Sequence, residues 1–229
     1  MVVLFTGCAS TGKAILNEQK DPIALVSVVS NEDINWEGEP SMDSYSIGPM
    51  AKRAIRADPD LEAITSAEEL INTAETIIRN ILVSSGVNNL AERDTVLRST
   101  AYQNVKIKKY PKRDMVKPDG YLFADSRDKN FPAALAAETG IQHSIFIEFN
   151  FVKSIYSGLS MIGTCRAMVD MTVLIIDAGG KTIYRKTLSL PSMSAIKVSN
   201  GVYSHTELYS LFQDTITNLC LDFMEKFEN

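Results

Sequence analysis

Apolar and polar positions alternate along this chain with two different periods, and each period marks its own kind of element. Residues 23–29, Ile-Ala-Leu-Val-Ser-Val-Val, form a β-branched apolar run of strand length, which predicts a strand inside a sheet. Leu70, Ile71, Ala74, Ile77, Ile78, Ile81 and Leu82 recur at spacings of one, three and four, the signature of an amphipathic helix lying on that sheet. Thr65-x-x-Glu68 and Ser66-x-x-Glu69 both fit the capping box that starts such a helix, and Gly86 stops it. A second helix closes the chain, capped by Ser204-x-x-Glu207 and carrying Leu208, Leu211, Phe212, Leu219, Phe223 and Phe227 on one face. Between the two helices, residues 145–152 and 165–177 read as strands joined by a flexible Gly/Ser connection at 156–163. A turn at Ala178-Gly179-Gly180-Lys181 leads into a third strand, residues 182–190, which completes an antiparallel meander.

Smaller elements fill the intervals. Residues 49–57, with Pro49 near the start, predict a short amphipathic helix carrying Lys52, Arg53 and Arg56, and residues 131–139 a small-residue helix ended by Gly140. Residues 95–97 read as a brief strand. Residues 31–46 read as a loop, with Trp36 as a lid on the core, and residues 99–130 as a charged excursion over the surface. Strands bracketed by helices make the expected class α+β: a single mixed sheet with an antiparallel C-terminal meander, packed by amphipathic helices. The expected organisation is a leader remnant and tether over residues 1–20 and a single domain over 21–229.

Of 229 residues, 45% are apolar and 22% charged, values that support a packed core and exclude coiled coil or wholesale disorder. The net charge of −5 leaves no general basic field, so nucleic acid is not an expected partner. The one basic run, residues 106–113 with Tyr110 inside it, reads as a solvated loop that would meet anionic lipid headgroups if it meets anything. No apolar stretch of about 18 residues exists, so no transmembrane helix is expected. Cys165 and Cys220 read as buried free thiols, which leaves Cys8.

Phe5-Thr6-Gly7-Cys8 resembles the lipobox of bacterial lipoproteins, in which small residues precede a cysteine that is lipidated and becomes the first residue. The resemblance implies a diacylated Cys8 and a membrane as partner. Only Met1 to Phe5 remain of the apolar run that an export signal needs, so the natural start is expected upstream. The small polar Ala-Ser-Thr-Gly-Lys after Cys8 suits a tether. The alternative is a nucleotide-binding enzyme: Gly7 to Ala14 nearly matches the phosphate-binding loop, and the run 173–177 ends in Asp177 as a magnesium-attending strand would. Against it, Ala14 stands where the metal-binding hydroxyl belongs, and Pro22 stops the following helix early.

Nothing else points to catalysis. His143 and His205 have no ligand-spaced partners, so no metal and no cofactor is expected. Gly158-x-Ser160-x-x-Gly163 has one residue too many for a nucleophile elbow. Glu148 and Asp170 sit on apolar strands and could form a carboxylate pair, although solvent-facing edge positions, or pairing with Lys153 or Arg166, are the more ordinary fate. The residues that stand out are apolar ones on the Gly/Ser connection: Leu159, Met161 and Ile162, costly if exposed and uncovered. With Lys52, Arg53 and Arg56, which suit an anionic bilayer, they are the candidate contacts to lipid or to another envelope protein.

The order of elements resembles the α/β domain of the curli-secretion lipoprotein (CsgG-like) family and the TolB amino-terminal domain. The matching parts are the strand at 23–29, the helix from Ser66, and Ala-Leu-Ala-Ala-Glu-Thr-Gly leading into Ile145-Phe-Ile-Glu-Phe. The turn and strand at Val-Leu-Ile-Ile-Asp-Ala-Gly-Gly-Lys-Thr-Ile-Tyr-Arg follow, so the resemblance covers residues 21–227. It implies a non-catalytic lipoprotein of the cell envelope, on the periplasmic face of the outer membrane, that binds or assembles something. The pore-forming members carry two long membrane-crossing hairpins, and no second pair of such segments is present here.

Overall fold

The computed structural model describes residues 21–38, 48–63, 65–111 and 113–228. Strand β1 (Ile23–Asn31) is followed almost at once by β2 (Asp33–Trp36), then by helix α1 (Pro49–Ala57) and the short strands β3 (Leu61–Glu62) and β4 (Thr65–Ser66). Helices α2 (Glu68–Ser84), α3 (Arg93–Leu97) and α4 (Thr100–Gln103), strand β5 (Met115–Val116) and helix α5 (Asn130–Thr139) lead to the main strands. These are β6 (His143–Gly158), β7 (Ile162–Asp177) and β8 (Thr182–Pro191), after which β9 (Ile196–Ser199), β10 (Tyr203–Ser204) and helix α6 (His205–Glu228) end the chain.

The fold is α+β on a mixed sheet. Its centre is the antiparallel β6–β7 hairpin, paired from His143–Asp177 to Gly158–Gly163 with one irregularity at Tyr156. Strands β1 and β2 lie end to end along the free edge of β6, both parallel to it, while β8 and β9 lie end to end along β7, antiparallel. The parallel pairing follows from the helices between β2 and β6, which carry the chain back before β6 begins. Alternation then sorts the side chains. Phe149 and Phe151 of β6 and Cys165, Ala167, Val169, Met171, Val173 and Ile175 of β7 are buried on one face, under α2 and α6. The other face is covered at one end only, where Ala24, Val26, Phe146 and Ile176 meet Val96, Tyr102, Phe131 and Leu135 of the small helices. Beyond that end the face is polar and open: Asn150 bonds Asp170, and the hydroxyls of Thr172 and Thr187 meet across β7 and β8.

Four expectations need correction. The segment read as a loop at 31–46 contains β2, whose Trp36 is 5% exposed and packs edge-on against Tyr203. Residues 95–97 belong to a helical turn, α3, because a three-residue apolar run has no period of its own. The stretch 99–130 is no mere surface excursion. Tyr102 and Tyr121 within it are buried, and Tyr121 donates to Glu75 of α2, whose carboxylate also receives Arg79. The α2 cap differs as well: Thr65 is held in β4 and bonds Glu62 and Tyr203, and only Ser66 reaches a helix amide, that of Glu68.

The cap of α6 forms as expected, with Ser204 Oγ accepting from the Glu207 amide. Asp60 reinforces it by accepting from the hydroxyls of Ser204 and Thr206 and from the Thr206 amide. The hydrogen bonds from Ser204 and then Thr206 hold the Asp60 carboxyl down from its ordinary 3.8 to about 2. A lowered folded-state pKa gives stability that is complete above the unfolded value and fades as pH falls through the folded one. The denaturation midpoint is therefore expected to drop between pH 4 and pH 2, and Asp60→Asn to flatten that part of the curve. An unchanged acid profile in Asp60→Asn would remove the cap from the explanation.

Candidate functional site

The β6–β7 ladder does not stop where the sequence pattern does. Residues 156–163, expected as a flexible connection, remain paired as far as Gly158 opposite Gly163, and only Ser160 and Met161 form the loop. Leu159 and Ile162 close it with two backbone hydrogen bonds, 2.9 and 3.1 Å. The pairing survives the Gly and Ser content because Ser157 Oγ and Thr164 Oγ1 meet across the strands at 2.8 Å, and because β9 flanks the outer edge of β7. A register shift between Ile155 and Ser157 leaves Tyr156 out of the ladder, with its ring 3.7 Å from the Arg166 guanidinium. The result is a rigid, solvent-facing tip on which Leu159 is 70%, Met161 57% and Ile162 69% exposed, with Tyr156 beside them. These three residues are the apolar contacts singled out in the sequence.

The basic helix is brought to the same end. Asn200 and Gly201, both with positive φ, form the tight turn after β9, and the Gly201 amide donates to the Met161 carbonyl. The next residue, Val202, packs with Ala51 of α1 and Ala63. Lys52, Arg53 and Arg56 are exposed on α1, so the turn links the apolar tip to a basic helix. The apolar side of α1 is turned inward: Ala51 is buried and Ala54 and Ile55 pack with Leu61, while Met50 is exposed. The Asn200-Gly201 pair is a tight-turn signal legible in the sequence, and here it closes the bridge between Ser199 and Val202.

The candidate acid–base pair is not assembled. Glu148 lies opposite Thr172 and bonds Lys108, 3.0 Å, and Arg113, while Asp170 lies opposite Asn150. The basic run therefore does not all face solvent; two of its cations turn onto the sheet. Lys153, expected as a pairing partner of Glu148 or Asp170, shares the side of β6 occupied by Phe149 and Phe151 and is fully buried. Its Nζ donates to Tyr203 Oη at 2.6 Å and lies over the rings of Trp36 and Tyr203. Tyr203 Oη is also 2.9 Å from Thr65 Oγ1, which donates to Glu62, and Glu62 pairs with His205 at 3.0 Å. This relay of polar groups fastens β10, β4 and β6 together.

Cys165 and Cys220 are buried and free, and burial pushes their thiols up to about 11 and about 12, which makes both poor nucleophiles. Asp177 accepts from the Lys181 amide and closes the β7–β8 turn, on a strand antiparallel to both neighbours. Cys8 and the near phosphate loop at residues 7–14 lie outside the described residues. Among the described residues, no group of three or more His, Cys, Asp or Glu side chains is placed to hold a metal ion, and no helix is long and apolar enough to cross a membrane.

The chain matches no protein-family model and no curated protein. Among solved structures it is similar to the LpoB C-terminal domain from Salmonella enterica, at 11% identity and a TM-score of 0.31, covering 79% of this chain and 92% of that one.

Proposed function

We propose that this protein is a lipoprotein of the cell envelope, tethered through a lipidated Cys8, whose domain is non-catalytic and docks on an anionic bilayer surface through the β6–β7 tip. The tip carries the reading. Leu159, Met161 and Ile162 stand exposed at the end of a rigid two-stranded projection, where large apolar side chains are unfavourable unless something covers them. The choice of a bilayer rests on charge: α1, which carries the exposed Lys52, Arg53 and Arg56, packs through Ala51 on Val202, next to the Gly201 that bonds the tip, and basic residues near an apolar tip suit anionic headgroups. Two acyl chains on Cys8 would already hold the protein at the membrane, so the tip orients the domain. The outer membrane, periplasmic face, is the location that the resemblance in element order implies.

The test separates tether from tip. Growth with labelled palmitate is expected to label the protein and not its Cys8→Ala variant. Unlipidated full-length Cys8→Ala is then expected to float with vesicles containing anionic phosphatidylglycerol and to remain behind with neutral ones. Adding Leu159→Ser and Ile162→Ser should weaken flotation by about 2 kcal/mol, roughly thirtyfold, given some 1.5–3 kcal/mol for each fully buried apolar side chain and only partial insertion. Equal flotation of the tip variant would refute the docking surface, and absence of label would refute the tether.

A further inference from the structure

A second site lies on the open face of the sheet, away from the tip. Strand β1 is irregular where it pairs with β6: Leu25 lies opposite Ile145 and Ser27 opposite Phe146, so Val26 is an extra residue. Such a bulge puts two consecutive side chains on one face. Val26 enters the minor core under the small helices, and Ser27 points into the cleft beside it. Ser27 is 4% exposed, and its hydroxyl makes no hydrogen bond to any described residue. The residue lines the cleft, so its hydroxyl is open to a ligand that enters there.

The cleft has a volume of about 320 Å³, in the range of small-molecule sites. Cations from three separate segments converge on it: Lys108, Arg127 and, from β8, Arg185. Lys108 shares Glu148 with Arg113, and Arg127 pairs with Asp125, so both acidic groups are already neutralised and positive charge is left in excess. Arg185 has no ion pair with any described residue. Val29, Phe146 and Leu174 supply an apolar wall, and the Tyr110 ring, with Lys108 Nζ 4.4 Å from its centre, forms a side. We infer that this cleft binds a small organic anion, its charged head held by Arg185, Lys108 and the Ser27 hydroxyl and its short apolar body laid against Phe146 and Leu174.

Octanoate is a suitable probe for the full-length Cys8→Ala protein, with octylammonium and acetate beside it in isothermal titration. Octanoate is expected to bind once per chain, more tightly than acetate, and octylammonium not at all. A charge-assisted hydrogen bond of the usual strength makes the expected loss roughly tenfold in Arg185→Ala, and similar in Ser27→Ala. Both positions leave the main core untouched, and thermal melting identifies a variant that fails to fold. Arg185→Lys is expected to recover part of the affinity. The inference is overturned if octanoate shows no saturable binding, if octylammonium binds as well, or if affinity is unchanged in Arg185→Ala. Loss of octanoate binding in Leu159→Ser with Ile162→Ser would also overturn it, since that result places the probe at the tip.

Discussion

Phe151→Ala is expected to destabilise the fold by about 3–5 kcal/mol, the cost of removing a fully packed aromatic side chain and leaving its cavity behind. Phe151 is wholly buried at the meeting point of the sheet and the closing helix. Its ring stacks on Phe149, 5.4 Å between centroids, and stands edge-on to Phe212 of α6 at 5.7 Å. Because β6 is hydrogen-bonded on both edges, to β1 and β2 on one side and β7 on the other, the backbone has little freedom to collapse into the space. Urea denaturation should show the loss as a lower midpoint at an unchanged slope. The matched control is Leu159→Ala on the tip of the same hairpin, expected within about 0.5 kcal/mol of the wild type because the side chain touches solvent. A large effect at Leu159 would mean that the tip is covered by the rest of the chain, which would also remove it as a docking surface.

Gly163→Ala is expected to abolish most vesicle binding while leaving the body of the fold intact. A Cβ on Gly163 would lie 2.1 Å from the Ser157 carbonyl oxygen and 3.0 Å from backbone atoms of Leu159, closer than real contacts allow. Gly158, directly opposite, has φ +76 and equally little room, with Ile162 O at 2.5 Å from an added Cβ, so the neighbouring rung cannot give way. The last rung must open, and Leu159 and Ile162 lose the orientation that their two mutual hydrogen bonds impose. Overpacking of this kind costs about 1–3 kcal/mol, here confined to the far end of a long hairpin. Flotation with anionic vesicles is expected to fall about tenfold, the effect of some 1.4 kcal/mol of lost contact. Gly48→Ala serves as control, since nothing lies within 4 Å of its added Cβ and its φ is ordinary. If Gly163→Ala floats like the parent protein, the shape of the tip has no role and the contact lies elsewhere.

How much of this was legible in the chain differs from element to element. The helix at 68–84 and the closing helix could be read because each buries one stripe, and a stripe of period 3.6 is a local property. The strands β7 and β8 were readable for the same reason at period two, and so was the turn at Gly179 and Gly180 between them. The class followed from the order of these elements. The exposed Leu159, Met161 and Ile162 were also visible, as apolar residues in a Gly/Ser context, but their rigidity was not: it depends on pairing with β9 and on the Gly201–Met161 hydrogen bond, both contributed from some forty residues away.

Short or two-sided segments escaped the reading. Strand β2 and helix α3 are too brief to show a period, and Tyr102 and Tyr121 sit in charged sequence whose polar residues mask what the rings do. By itself, then, the sequence determined the long elements, their buried faces, the α+β class and the apolar tip, because each of these is encoded by residues a few positions apart. Tertiary structure alone decided that Lys153 lies in the core against Tyr203, that Glu148 meets Lys108 instead of Asp170, and that Ser27, Lys108, Arg127 and Arg185 share one cleft. Those groupings depend on strand register and on a single-residue bulge, and a shift of one residue in either moves a side chain to the opposite face of the sheet.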